Sequence, residues 1–313
     1  MGSSMSECVL QYYMRHVEDR EIKEVLAFAL SLSQKHVKVI TDIMKHEKFP
    51  IPVGFTEADL HAEAPRLYSD IFILNYLHQT TKSGFSLYTI ALPSIARSDV
   101  REFISECIIS LTELYNRVAD VSLSKGLYMR PPSIDTPNHV EFVQSNHFLA
   151  GFFGDQRAIN ALEITHLFSN IQSNQLGRAL VMGFAQVAQS KAIREYFAQG
   201  IELSTEQIDT FGGVLSKETL PVPSSWDTDV MASTIPPFSD KLMLFHVMGL
   251  NALSVFNYGA ALSGSQRHDI HLLYMGLISQ VGVYGEAGVR LMIENKFMEQ
   301  TPMAPDRELL IRK

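Results

Sequence analysis

Leu220-Pro221-Val222-Pro223 lies over Phe49-Pro50-Ile51-Pro52 when the chain is slid against itself by about half its length, and this overlay decides the fold. Without a gap, the same register puts Arg194-Glu195-Tyr196-Phe197-Ala198 on Lys23-Glu24-Val25-Leu26-Ala27, and Leu203-Ser204 on Leu32-Ser33. After one slip Tyr68-Ser69-Asp70 meets Phe238-Ser239-Asp240, Tyr88 meets Tyr258, and Arg97-Ser98-Asp99 meets Arg267-His268-Asp269. A second slip brings Gly126-Leu127-Tyr128-Met129 over Asn295-Lys296-Phe297-Met298. Matches at a nearly constant offset over such a length mark an internal duplication.

The second copy reads as four helices. Apolar residues recur at helical spacing over 158–188 and over 191–217. Residues 219–238 contain four prolines and Trp226 and cannot be helix. Ser239 or Asp240 then caps a third helix reaching about 263, because a short side-chain oxygen satisfies the first free amides. Gly264-Ser265 turns the chain into a fourth helix over 268–295. The 20-residue link is long enough to run the length of a bundle, since extended chain covers roughly 3.3 Å per residue and a 24-residue helix spans roughly 36 Å. One long crossover between helices two and three is the ferritin-like connectivity, with helices one and four parallel.

The first copy has the same pieces: a helix to 44, a proline-marked link over 49–68, and helices over 69–92 and 99–126. Its opening helix reduces to a stub over 5–17, because some twenty residues of the second copy's opening helix would have counterparts before Met1. A short or truncated first helix is therefore expected. The predicted fold is all-α, a tandem duplication of a ferritin-like four-helix bundle. The bundles span 1–126 and 158–300, joined by an ordered aromatic linker over 127–157. Phe142, Phe148, Phe152 and Phe153 are expected to pack that linker on a bundle and hold the pair rigid.

Composition narrows the function. Apolar residues make up 46% and charged residues 19%, a globular balance. A net charge of −8 with no run of Lys or Arg argues against a nucleic-acid partner, which needs a dense basic face. Cys8 and Cys107 are too few for a disulfide framework and read as buried apolar thiols of an interior compartment. No charged residue occurs over 242–266 or 270–285. Helices apolar all round are buried on all sides or lie in a membrane. His246, Asn251 and Asn257 speak against a membrane span, so self-association or tight inter-bundle packing through 240–295 is the expectation.

Several stretches have a particular spelling: Asp19-Arg20-Glu21-Ile22-Lys23, Phe49-Pro50-Ile51-Pro52-Val53-Gly54-Phe55-Thr56, Ala64-Pro65-Arg66-Leu67-Tyr68-Ser69-Asp70, Ala161-Leu162-Glu163-Ile164-Thr165-His166-Leu167-Phe168, Pro236-Pro237-Phe238-Ser239-Asp240-Lys241-Leu242-Met243 and Asn257-Tyr258-Gly259-Ala260-Ala261. Together they resemble an uncharacterised family of bacilli with a duplicated ferritin-like domain, distantly similar to spore coat protein F. The resemblance implies a cytoplasmic or spore-associated protein of a Gram-positive spore former. It implies no activity, since fold alone licenses no reaction.

A di-metal centre in such a bundle needs a carboxylate from each of two helices and a Glu-x-x-His from each of the other two, all at mid-height. Glu163-Ile164-Thr165-His166 is the single match, and it lies at a helix start. Glu163, His166, His268 and His271 could gather at one bundle end, where an off-centre iron, manganese or zinc site is conceivable. Mid-bundle positions of the second copy hold mainly amides (Gln172, Gln175, Asn251 and Gln280, with Glu202), those of the first hold Ser33, His36, His78, Glu106 and Glu113, and His36, on an apolar stripe, has Gln207 as its repeat counterpart. Asp70 and Asp240 read as caps, and the Arg97–Asp99 and Arg267–Asp269 pairs as turn bridges. Tyr88 and Tyr258 read as core aromatics with bonded hydroxyls. The leading expectation is a non-catalytic structural or binding protein with no cofactor. A metal-dependent oxidase or storage protein is the second, and a carrier of an apolar small molecule the third. An elongated apolar cavity would favour the carrier.

Overall fold

A computed structural model describes residues 1–152 and 156–312. Apart from two isolated β-bridges and short 3-10 turns, the regular structure among these residues is α-helical. The first repeat contributes α1 (Gly2–His16), α2 (Arg20–His46), α3 (Asp70–Ala91) and α4 (Ser98–Ser124). The second contributes α5 (Ala161–Val187), α6 (Lys191–Lys217), α7 (Asp240–Gly264) and α8 (His268–Glu294), followed by a short α9 (Arg307–Ile311).

The third helices begin alike. Ser69 Oγ accepts from the Phe72 amide at 3.0 Å and Ser239 Oγ from the Leu242 amide at 3.1 Å, so the serines are the caps. The aspartates read as caps do something else. Asp70 takes the Glu18 and Asp19 amides at 3.1 and 2.7 Å, and Asp240 takes those of Gln189 and Ser190 at 3.0 and 2.7 Å. Each aspartate ties the joint between the first two helices to the start of the third. The fourth helix starts where the second ends, through Arg97–Glu47 at 2.9 Å and Arg267–Glu218 at 2.9 Å. Helices two and three therefore run parallel, and each crossover must return the full length of its bundle.

The crossovers also join the repeats, by pairing with each other. His61 N donates to Pro237 O at 2.8 Å and Ser239 N to Asp59 O at 3.0 Å. Ser69 N donates to Asp229 O at 2.9 Å and Met231 N to Leu67 O at 2.9 Å. Beneath them one apolar core crosses the boundary. Tyr68 of the first crossover is buried, and its hydroxyl donates to Leu180 O of α5 at 2.7 Å. Gly183, one turn on, leaves room for that ring, because a Cβ there would lie inside contact distance of it.

The linker departs from expectation. Residues 133–147 are exposed, with Phe142 at 79%, so an aromatic-rich composition does not here mean a packed segment. Phe148 alone among the cited aromatics stacks firmly, under the Arg157 guanidinium at 4.2 Å; Phe153 lies outside the described residues. The paired crossovers and the shared core beneath them join the halves.

Nor are α7 and α8 buried all round within the chain. α7 meets the first repeat near its start, where His246 Nε2 lies 3.2 Å from the Tyr76 hydroxyl. α8 packs chiefly on α6 and α7, leaving Leu272, Met275 and Val283 in the open. α7 is long and apolar enough to cross a membrane by length and composition. Its His246 and Asn251 nevertheless hydrogen-bond within the protein, Asn251 Nδ2 to the Tyr196 hydroxyl at 3.0 Å.

Candidate functional site

The repeats differ most in their first helices. α1 and α5 end at equivalent positions, followed by Val17 and Ala188, so α1 matches only the second half of α5. The counterparts of residues 161–171, the opening three turns of α5, would fall before Met1. In the second repeat those turns lay Ile164, Leu167, Phe168 and Ile171 on Ile208, Phe211 and Leu215 of α6, Tyr258 of α7 and Tyr274 of α8, closing a separate apolar core. The spacing i, i+3, i+4, i+7 puts all four on one helical face.

The described residues of the first repeat include the walls of that site. Val37, Ile40 and Met44 of α2 stand where Ile208, Phe211 and Leu215 stand in α6. Phe211 is fully covered, whereas Ile40 is 37% exposed. The uncovered groove, flanked by Leu87 and Ile90 of α3, runs past Met1–Ser6 and continues between the repeats, where Leu203, Phe245, Ala252 and Phe256 line it. Groove and inner part form one cavity of about 1020 Å³. The wall function of α7 accounts for much of its charge-free run.

The lining is mostly apolar by area but is interrupted by Ser, Thr, Asn and Gln side chains. Tyr88 and Tyr258 both turn their hydroxyls to the equivalent position of the second helix. Tyr88 reaches His36 Nδ1 at 3.3 Å, and His36 Nε2 lies 3.3 Å from Cys107 Sγ. Tyr258 accepts from Asn174 Nδ2 at 2.7 Å and donates to Gln207 Oε1 at 2.7 Å, leaving the buried Gln207 Nε2 without a partner. Burial pushes the Cys107 thiol up to about 11 and the His36 imidazole down, so at neutral pH the pair is thiol and neutral ring. Lys82 of α3 also lines the cavity, with burial lowering its ammonium to about 8.

The four residues singled out as metal ligands have other surroundings. Glu163 is fully buried and occupied: Arg157 donates two bonds at 2.8 Å, and the amides of Asn160, Gln266 and Arg267 donate at 2.9, 3.2 and 3.2 Å. Burial alone would raise its pKa, but Arg157 and these amides hold the carboxylate below its usual range. Asn160 and Glu163 form a capping box, and Asn160-x-x-Glu163 was the signal in the sequence that could have found it. His166 sits beside Gly264 with its pKa lowered by burial, while His268 and His271 occupy the first turn of α8. Among the described residues no group of three or more His, Cys, Asp or Glu side chains is placed to hold a metal ion.

Among solved structures, a candidate spore coat protein from Bacillus halodurans C-125 is similar, with 13% identity and a TM-score of 0.46, over 48% of this chain and 98% of its own. No curated protein matches. The DUF3231 pattern, described as a protein of unknown function, matches residues 1–140 and again 147–310, one copy per repeat, and the chain therefore belongs to the DUF3231 family.

Proposed function

We propose that this chain acts by binding and not by catalysis, and that its binding site is the groove of the first repeat together with the cavity it opens into. The carrying observation is the cavity of about 1020 Å³, walled largely by apolar side chains. That volume lies at the upper end of ordinary ligand sites. The polar groups support the same reading. Thiolate, not thiol, is the nucleophile, and a Cys107 thiol raised to about 11 is almost wholly protonated at neutral pH. The nearest polar network, Asn174–Tyr258–Gln207, ends in an amide that suits recognition better than proton transfer.

A neutral fluorescent probe such as Nile red tests this. One saturable site per chain is expected, and Ser33→Trp, which fills the lining, should abolish it while helicity by circular dichroism is kept. Absence of saturable binding, or equal binding by the Ser33→Trp chain, would reject the proposal.

A further inference from the structure

We infer that the cavity holds an amphiphile with one anionic head, a long-chain carboxylate, with its head on Lys82 and its chain along the walls of the second repeat. The inference rests on the cavity being a binding site, and it names the chemistry of the ligand. Charge, position and wall composition carry it.

Among the described residues, Lys82 is the one Asp, Glu, Lys or Arg side chain in the lining. Its ammonium has no hydrogen bond and no ion pair with any of them. Burial lowers its pKa and no neighbouring carboxylate offsets this, yet at neutral pH the group stays mostly protonated. A buried cation is costly unless it is paired. The helix does not require one here, since the repeat counterpart of Lys82 is Ala252, which lines the same cavity. The missing partner is an anion.

Position comes from the contact of α3 with α5. Gln79 lies three residues before Lys82, on the same face of α3, and its side-chain oxygen accepts from Ser173 Oγ of α5 at 3.3 Å. Tyr68, just before α3, bonds Leu180 O further along α5, so the two helices run antiparallel. One turn from Ser173 toward the start of α5, Ser169 therefore comes level with Lys82. Gln79, Ser169 and Ser173 all line the cavity. The surroundings of the ammonium are polar enough to complete the hydrogen bonding of a carboxylate, whose oxygens accept and do not donate.

The walls turn apolar away from that level. Leu176 and Leu180 lie about two and three turns further along α5 than Ser169, and Leu203, Leu250 and Val281 join them from α6, α7 and α8. One positive charge with an apolar chamber beyond it fits a molecule with one negative head and one hydrocarbon chain. A phosphate monoester carries about −1.5 to −2 at neutral pH and would leave charge unbalanced here.

The experiment uses the full chain with decanoate, decanol and decylammonium, which share one chain length and differ in the head. Each displaces Nile red below its micelle-forming concentration. Decanoate is expected to displace the probe about tenfold more tightly than decanol, the worth of a hydrogen bond to a charged group, and decylammonium is expected to fail. Lys82→Met should bring decanoate down to the level of decanol or below, and Lys82→Arg should restore most of its affinity. Helicity and thermal melting check that both variants fold. If Nile red binds and decanoate displaces it no better than decanol, the carboxylate inference falls while the binding reading stands. Unchanged decanoate affinity in Lys82→Met has the same consequence. If neither Nile red nor decanoate binds, both fall.

Discussion

The Ser69 hydroxyl donates to Asp229 Oδ1 at 2.6 Å, and the duplicated pair, Ser239 to Asp59 Oδ1 at 2.7 Å, repeats the bond in the opposite sense. Each serine that caps a third helix is thus held by an aspartate from the other repeat's crossover. Replacing Asp229 by Ala leaves one cap serine without its acceptor and weakens the neighbouring backbone pairing. A loss of about 1–2 kcal/mol is expected, read from the urea midpoint. The Asp59→Ala, Asp229→Ala double variant should lose more than either single one, and an unchanged midpoint would contradict the role given to the pair.

Gly183→Ala should destabilise by about 1–3 kcal/mol, the usual cost of overpacking. The new methyl group meets the ring and hydroxyl of Tyr68, which is anchored to Leu180 O and cannot retreat. Combining it with Tyr68→Leu should recover part of the loss. Additive losses in thermal melting would count against a steric cause.

Acid should weaken the fold through His246. Burial lowers its pKa to about 4, against 6.5 for the free side chain. The folded state then binds fewer protons than the unfolded one, so this stability is present above pH 6.5 and is lost as pH falls toward 4. The shift corresponds to an order of 3 kcal/mol. In His246→Leu the slope of unfolding free energy between pH 6.5 and 4 should become shallower, whatever the absolute stability.

Lys82 acts at the other end of the pH scale. Its folded pKa of about 8 lies below the 10.5 of the free side chain, so the buried ammonium is a penalty carried at neutral pH. Stability should therefore rise between pH 8 and 10.5 as the folded protein gives up that proton first. Lys82→Met should be more stable than the parent at pH 7 and should lose this part of the rise. A parent-like pH profile in Lys82→Met would exclude the assignment.

Much of this architecture is legible in the sequence, for physical reasons. Proline clusters at 221–223 and 236–237 cannot be helix, and the periodicity on either side fixes the four helices to within a few residues. The reciprocal pairing of the crossovers is not legible, because Ser69 and Asp229 lie 160 residues apart and each looks like a local cap. Glu163 shows a different ambiguity. Its spacing to His166 suits a metal site, but its spacing to Asn160 suits a capping box, and the backbone claimed the carboxylate. The charge-free run of α7 does not say what the helix faces, because periodicity cannot distinguish a partner from the wall of a cavity.

The crossed crossovers set a rule for how the chain must come into being. Residues 1–126 leave the ribosome well before Asp229 exists, so Ser69 and Leu67 wait without their acceptors and donors while more than a hundred further residues are made. A half-chain ending at the linker would stay in that condition, with those backbone groups left to water. A second half-chain would offer the same crossover as a partner for them. Fusion of the two repeats into one polypeptide turns that concentration-dependent encounter into an intramolecular one.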